Sequence, residues 1–291
     1  MPPCSLGIAI RNTSDVCIRT NRLHFGSALR IIDHHLHVSG IIPPAASRSP
    51  KQMYDHEWFC VSQSVTTPTT DEQLWKLSLQ DRSDTAQVHT WISKTGKSSL
   101  QFASSINATG DNNICMGMAK RVFVRRSLAE KTAAPFSEDE LKRFHRFMYD
   151  NNMQILPDLS DLAVQDFMTA PLQTSDNKSN HPAVLQVPIG PQHVNLAHHV
   201  DHAFLAETAA HAFWKAGISE EERNHTLKIQ YVAEGNLGKT LQCHVVDKNV
   251  VCLYQHNNQD ADTNKMDDGL KLVAVAEKSS SQDKKLHSRH Y

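Results

Sequence analysis

Four histidines and two side chains able to orient them fall within ten consecutive residues: His193, Asn195, His198, His199, Asp201 and His202. An unperturbed imidazole exchanges its proton near neutral pH, so a histidine held beside a water can act as a general base. A carboxylate such as Asp201, or Glu207 a little further on, can orient that imidazole or serve as the base itself. An amide such as Asn195 can hold a water but cannot take its proton at neutral pH. Together these groups suit the activation of water against a polarised carbonyl. His199 is the natural base, Asn195 the group that positions water, and Asp201 and Glu207 the carboxylates in reach. The spacing of His198, His199 and His202 with Asp201 could also hold zinc. Adjacent histidines on a helix point in different directions, which argues against a metal, and no cofactor is expected.

A strand and a helix must position this group. A short apolar run, Val184 to Ile189, leads into Gly190-Pro191, and an apolar helix is predicted from about His199 to Ala216, stopped by Gly217. The first N–H groups of a helix are unpaired and its dipole is positive there, which suits a carbonyl oxygen or an anion.

The rest of the chain sets limits. It has 291 residues, 40% of them hydrophobic and 21% charged, with a formal net charge of -1. That balance gives no reason to expect a nucleic acid as partner. No apolar run approaches the ~18 residues that a membrane span needs. The six cysteines are scattered with no CxxC pair, which reads as reduced, mostly buried thiols of an intracellular protein. The N-terminus is acid-poor, a feature of transit peptides, but Leu6 to Ile10 and Val16 to Ile18 read as strands of the fold. A cytoplasmic location is expected, with an organelle as the alternative.

From the N-terminus, a helical stretch opens across Asn21 to Ala28, with Leu29, Ile32 and Leu36 at helical spacing, and β-like segments follow through Arg125. Ser137-Glu138-Asp139-Glu140 is a capping box, predicting a packed helix from Ser137 to Asn151 through Phe144 and Phe147. The polar run Thr174 to Asn180 reads as a loose linker. From Ala183 the order of strand, loop, helix and strands recurs, with a turn at Asn236 to Lys239. Gly238-Lys239-Thr240 lacks the earlier glycine of a phosphate-binding loop.

The stretch Val187 to Ala203 resembles, without a gap, the approach to the helix in 4-hydroxybenzoyl-CoA thioesterase-like hotdog proteins. His199-Val200-Asp201-His202-Ala203-Phe204-Leu205 falls on the family's His-Val-Asn-Asn-Ala core, and Glu207 lies near an acidic residue often seen on that helix. Gly96-Lys97-Ser98-Ser99 resembles a Gly-Arg-Ser-Ser-like turn of the family, and Cys115 to Val124 its closing strand. Leu227 to Glu234 resembles the strand after the helix.

The resemblance implies an α+β double hotdog, two antiparallel sheets each wrapped around a long helix. Its parts would be a first unit at 1–132, a linker with one helix at 133–182, a second unit at 183–277 and a tail at 278–291. Pairing of the two units would make a pseudo-dimer within one chain, with a further homo-oligomer possible. The implied function is hydrolysis of acyl-CoA or acyl-carrier-protein thioesters in lipid and fatty acid metabolism. Where the family commonly has aspartate, four residues before the motif histidine, this chain has Asn195. That departure favours the alternative of a hotdog protein that binds acyl thioesters or a protein without turnover. In the first unit Thr20 stands at the corresponding place before His24. His24 and Asp33 are therefore expected to be structural or to line an acyl groove. Lys120-Arg121 and Arg125-Arg126 could meet the phosphates of coenzyme A, or could be an ordinary solvated strand end.

Overall fold

The computed structural model describes residues 4–9, 16–17, 22–23, 25–38, 56–68, 85–108, 115–127, 129–145, 148, 183–194, 200–218, 224–256 and 270–280. The chain divides into two compact units, Met1–Leu159 and Ser160–Tyr291.

In the first unit, strand β1 (Cys4–Ala9) is followed by a two-stranded ribbon, β2 (Val16–Cys17) and β3 (Arg22–Leu23), and then by helix α1 (Phe25–Val38). The helical stretch expected from Asn21 therefore starts later, because Arg22 and Leu23 pair with Cys17 and Val16. Four strands come next: β4 (His56–Pro68), β5 (Thr85–Thr95), β6 (Ser99–Ala108) and β7 (Cys115–Ser127). They form an antiparallel sheet in the order β1-β5-β6-β7-β4. Helix α1 packs on β4, β5, β6 and β7. Leu29, Ile32 and Leu36 recur on one face of the helix, and all three are buried. Each such side chain contributes about 1.5–3 kcal/mol on burial.

The second unit repeats this order. Strand β8 (Ala183–Pro188) leads through a single 3-10 turn (Pro191–His193) to a helix, His202–Lys215. Strands β9 (Asn224–Tyr231), β10 (Thr240–Asp247), β11 (Val250–His256) and β12 (Leu270–Ser280) complete it. The antiparallel sheet runs β8-β10-β11-β12-β9, the same permutation as in the first unit. The helix packs on all five strands. Ala203, Ala206, Ala209 and Ala212 are fully buried along it, and such short side chains let helix and sheet approach closely. Against them the sheet offers Leu227, Ile229, Leu241, Cys243, Leu253 and Ala274, all buried. The helix ends where Gly217 takes φ 73° and its N–H reaches the Trp214 carbonyl at 3.0 Å. A residue with a side chain is strained in that left-handed conformation.

Between these elements lies α2 (Glu138–His145), shorter than the helix expected from Ser137 to Asn151 and without a fully buried residue. Its packing rests on Phe144, which meets Phe136 edge-on at 5.1 Å, while Phe147 is outside the described residues. The linker run Thr174 to Asn180 also lies outside them. The capping box is formed: the Glu140 N–H approaches Ser137 Oγ at 3.3 Å, and Glu140 Oε2 accepts the Ser137 N–H at 2.8 Å. Burial pushes the Glu140 carboxyl up, but the Ser137 donors and the Arg125 guanidinium outweigh it, leaving Glu140 below its ordinary value. A lowered carboxyl stabilises the fold above the unfolded-state value and ceases to do so as pH falls through the folded-state value. Glu140→Gln is therefore expected to lower stability at neutral pH. The difference from the parent should close below about pH 4.5 in urea titrations run across that range.

Candidate functional site

The histidine-rich loop is built from its two stems. Ile189, at the end of β8, donates its N–H to the Lys239 carbonyl at 2.7 Å and accepts the Gly238 N–H at 2.9 Å. The turn Asn236 to Lys239 thus clamps the first stem, as Gln255 in turn clamps Asn236 through paired bonds of 3.1 and 3.0 Å. Glycine at 235 leaves room for Val200, since a Cβ there would meet Val200 Cγ2 at 2.9 Å and force it to shift.

Pro191 suits the start of the 3-10 turn, where its fixed φ fits and no N–H is needed. The ring of His193 then turns back on its own stem. Its Nδ1 accepts the Gly190 N–H at 3.0 Å, and the ring lies flat on Phe204 with centroids 3.9 Å apart. Because a backbone N–H can only donate, Nδ1 here is unprotonated and a neutral ring carries its hydrogen on Nε2. Val194 pairs with Val200 in an antiparallel bridge, and the Asp201 N–H closes on the His193 carbonyl at 2.8 Å. His193→Ala is expected to speed exchange of the Gly190 amide while the Leu205 amide, bonded to the Asp201 carbonyl, stays protected. Residue-resolved hydrogen exchange checks this.

This second stem corrects the expected helix start. The helix, named α3 from here on, begins at His202 and not at His199, because Val200 is drawn into the bridge and Asp201 is the extended N-cap, with φ -63° and ψ 130°. Asp201 Oδ1 accepts the Ala203 N–H at 2.9 Å, the usual task of an aspartate at that position. His202 lies with its ring 4.6 Å from Tyr231, and Glu207 is half-buried within α3. Asn195, His198 and His199 lie outside the described residues, as does His24 of the first unit. The stems bounding the loop and the helix start belong to one assembly that includes Asp201 and leads directly to Glu207.

The first unit gathers a different set. Asp33 on α1 forms an ion pair with Arg121 on β7, and Arg121 also donates to the Leu29 carbonyl at 3.2 Å. Arg125 donates to the carbonyls of Ala134, at 3.1 Å, and Pro135, and to Glu140 at 2.6 Å, while its guanidinium stacks 4.5 Å above Phe136. Both arginines are buried. The expectation of free phosphate-binding charge therefore meets a structural arrangement: Arg121 ties helix to sheet, and Arg125 pins the segment leading to α2. Sequence reasoning also missed Gln63 and a buried chain, Ser104 Oγ to Thr90 Oγ1 to His35 Nδ1, with both links 2.9 Å. Burial, then the neighbouring His89 and His34, hold the His35 imidazole below its ordinary pKa.

Among the described residues, no three or more His, Cys, Asp or Glu side chains are grouped to hold a metal ion. No described helix is long and apolar enough to cross a membrane. Cys60, Cys115, Cys243 and Cys252 are free thiols. Burial pushes Cys60 and Cys243 up to about 12 and Cys252 up to about 11.

No family model matches the chain, and no curated protein matches it in sequence. Solved structures do. An acyl-ACP thioesterase from Bacteroides thetaiotaomicron VPI-5482 superposes with a TM-score of 0.62 at 14% identity, covering 94% of this chain and 95% of its own. The 12:0-ACP thioesterase from Umbellularia californica gives 0.61 at 13% identity, over 95% and 97%. A putative oleoyl thioesterase from Lactobacillus plantarum gives 0.56 at 10% identity, over 95% and 94%. At such identities the likeness is one of fold, and over nearly its whole length this chain has the fold of these hotdog thioesterases.

Proposed function

We propose that this protein hydrolyses acyl thioesters, carried on coenzyme A or an acyl-carrier protein, at the loop between Gly190 and Asp201. The observation that carries the reading is the Val194–Val200 bridge with the Asp201 cap. It brackets Asn195 and His199 between stems that end at the start of α3. The fold likeness to three proteins named as thioesterases supports it. We also read the two units as tandem hotdogs, each with its helix as the central element, bounded at 1–132 and 183–277. The repeated strand permutation supports that reading.

In this mechanism the first-turn amides of α3, apart from that of Ala203, which Asp201 holds, polarise the thioester carbonyl. Asn195 orients a water, and His199 takes its proton as the oxygen attacks the carbonyl carbon. The tetrahedral intermediate collapses, the carbon–sulfur bond breaks, and the imidazolium returns its proton to the leaving thiolate. The products are a free acid and a free thiol. Glu207 is the reserve carboxylate on the same helix.

One observation favours a second reading, binding without turnover. Asn195 stands where the resembled family commonly has aspartate, and Asp201 Oδ1 is already engaged in capping. Measuring thiol release by the purified chain from a panel of acyl-CoAs and acyl-carrier proteins separates the two. Release supports hydrolysis; saturable binding with no release leaves the binding reading.

A further inference from the structure

The face of the first unit's sheet that carries α1 holds buried polar groups among its apolar ones. On one rung of the sheet the Ser104–Thr90–His35 chain closes on itself. On the next, Arg121 is matched by Asp33 and the Leu29 carbonyl. Gln63 on β4 lies directly opposite Arg121 on β7, so both side chains leave the same face, toward α1. Gln63 is 0% exposed, and neither its Oε1 nor its Nε2 meets a hydrogen-bond partner among the described residues. A buried primary amide with both ends unanswered is costly, and such groups are rare enough in folded proteins to need an explanation.

The surroundings define what would answer it. Phe102 and Phe123 meet edge-on at 5.7 Å, and Phe102, Val65 and Ile92 are buried on adjoining positions of the same face. Burial keeps the nearby Cys60 thiol neutral, pushed up to about 12. Arg121 Nε, on the residue directly opposite, is also buried and makes no hydrogen bond among the described residues, while Asp33 offsets the guanidinium charge. An amide and one N–H whose charge is already matched, set among apolar side chains, do not call for a phosphate or a carboxylate. They suit an apolar chain carrying a group that both donates and accepts. A hydroxyl does both, a ketone only accepts, and a methylene does neither.

We propose that Gln63 marks a ligand seat beneath α1 that receives the hydroxyl of a hydroxylated acyl chain. Only the naming of the ligand as an acyl group rests on the thioesterase reading; the seat belongs to the first unit by itself.

The test is isothermal titration calorimetry of the full chain with dodecanoic acid and with hydroxydodecanoic acids differing in the position of the hydroxyl. At least one hydroxy acid is expected to bind about tenfold more tightly than dodecanoic acid, the effect of one buried hydrogen bond. Gln63→Leu should abolish that preference and leave the affinity for dodecanoic acid within about twofold, since leucine removes only the polar atoms. Gln63→Met serves if the leucine variant does not fold, and the comparison within the parent stands without either. No preference in the parent, no binding of any acid, or a preference that survives both substitutions overturns the seat and leaves an internal water as the partner of the amide. Thiol release from dodecanoyl-CoA, measured separately, keeps the two proposals apart. Release without hydroxyl preference removes the seat alone, and preference without release removes the hydrolase reading alone.

Discussion

Replacing His199 by alanine is expected to lower thiol release by about 10²–10⁴-fold, the usual contribution of a general base. The loss should fall on kcat more than on KM, because the imidazole acts on the attacking water and not on the bound acyl chain. Asn195→Ala should give a smaller loss with the same pH profile, since an amide does not titrate in this range. Asn195→Asp places a carboxylate where the resembled family carries one, and is expected to raise the rate. The stems of the loop are held by the Val194–Val200 bridge and by the bond from the Asp201 N–H to the His193 carbonyl, so the thermal midpoints of these variants are expected to match the parent. Unchanged release by His199→Ala would remove the loop from the chemistry.

The second large effect concerns stability. Arg121 is buried with its charge matched by Asp33, whose carboxylate reaches solvent more freely. Removing one member of such a pair leaves the other charge uncompensated, a loss of about 3–5 kcal/mol in fully buried cases. Asp33→Ala is expected near the lower end of that range, because it strands the deeply buried guanidinium of Arg121. The double variant Asp33→Ala with Arg121→Met should recover much of the loss, since an apolar side chain of similar length needs no counter-charge. Chemical denaturation of the parent, both single variants and the double variant checks this. An additive double variant would show that the two side chains do not act as a pair.

The contrast between these residues shows what a sequence discloses. Leu29, Ile32 and Leu36 announce the buried face of α1 by spacing alone, and all three are buried. The turn at Gly238 and the stop at Gly217 were legible because only glycine takes those positive φ values without strain. The start of α3 was misplaced by three residues, since nothing local tells Val200 to pair with Val194 before the helix begins. Arg121 and Arg125 read as phosphate-binding charge or as a solvated strand end because their partners, Asp33 and Glu140, lie 88 and 15 residues away. Gln63 was hidden by the bulge between Cys60 and Ser62, which brings Cys60 and Gln63 onto one face against simple alternation. For the candidate site, the proposed chemistry rests on the residue types between His193 and Glu207 alone. The clasp of His193 on Gly190 and Phe204 was not legible, because it depends on a ring turning back across the stem.

The buried thiols have an experimental consequence. A cysteine reagent attacks only the thiolate, and in the folded protein Cys60, Cys243 and Cys252 are both inaccessible and held protonated far above neutral pH. Cys60 belongs to the first unit, and Cys243 and Cys252 to the second. Their alkylation under native conditions therefore times the opening of each half separately, as two clocks already written into the chain.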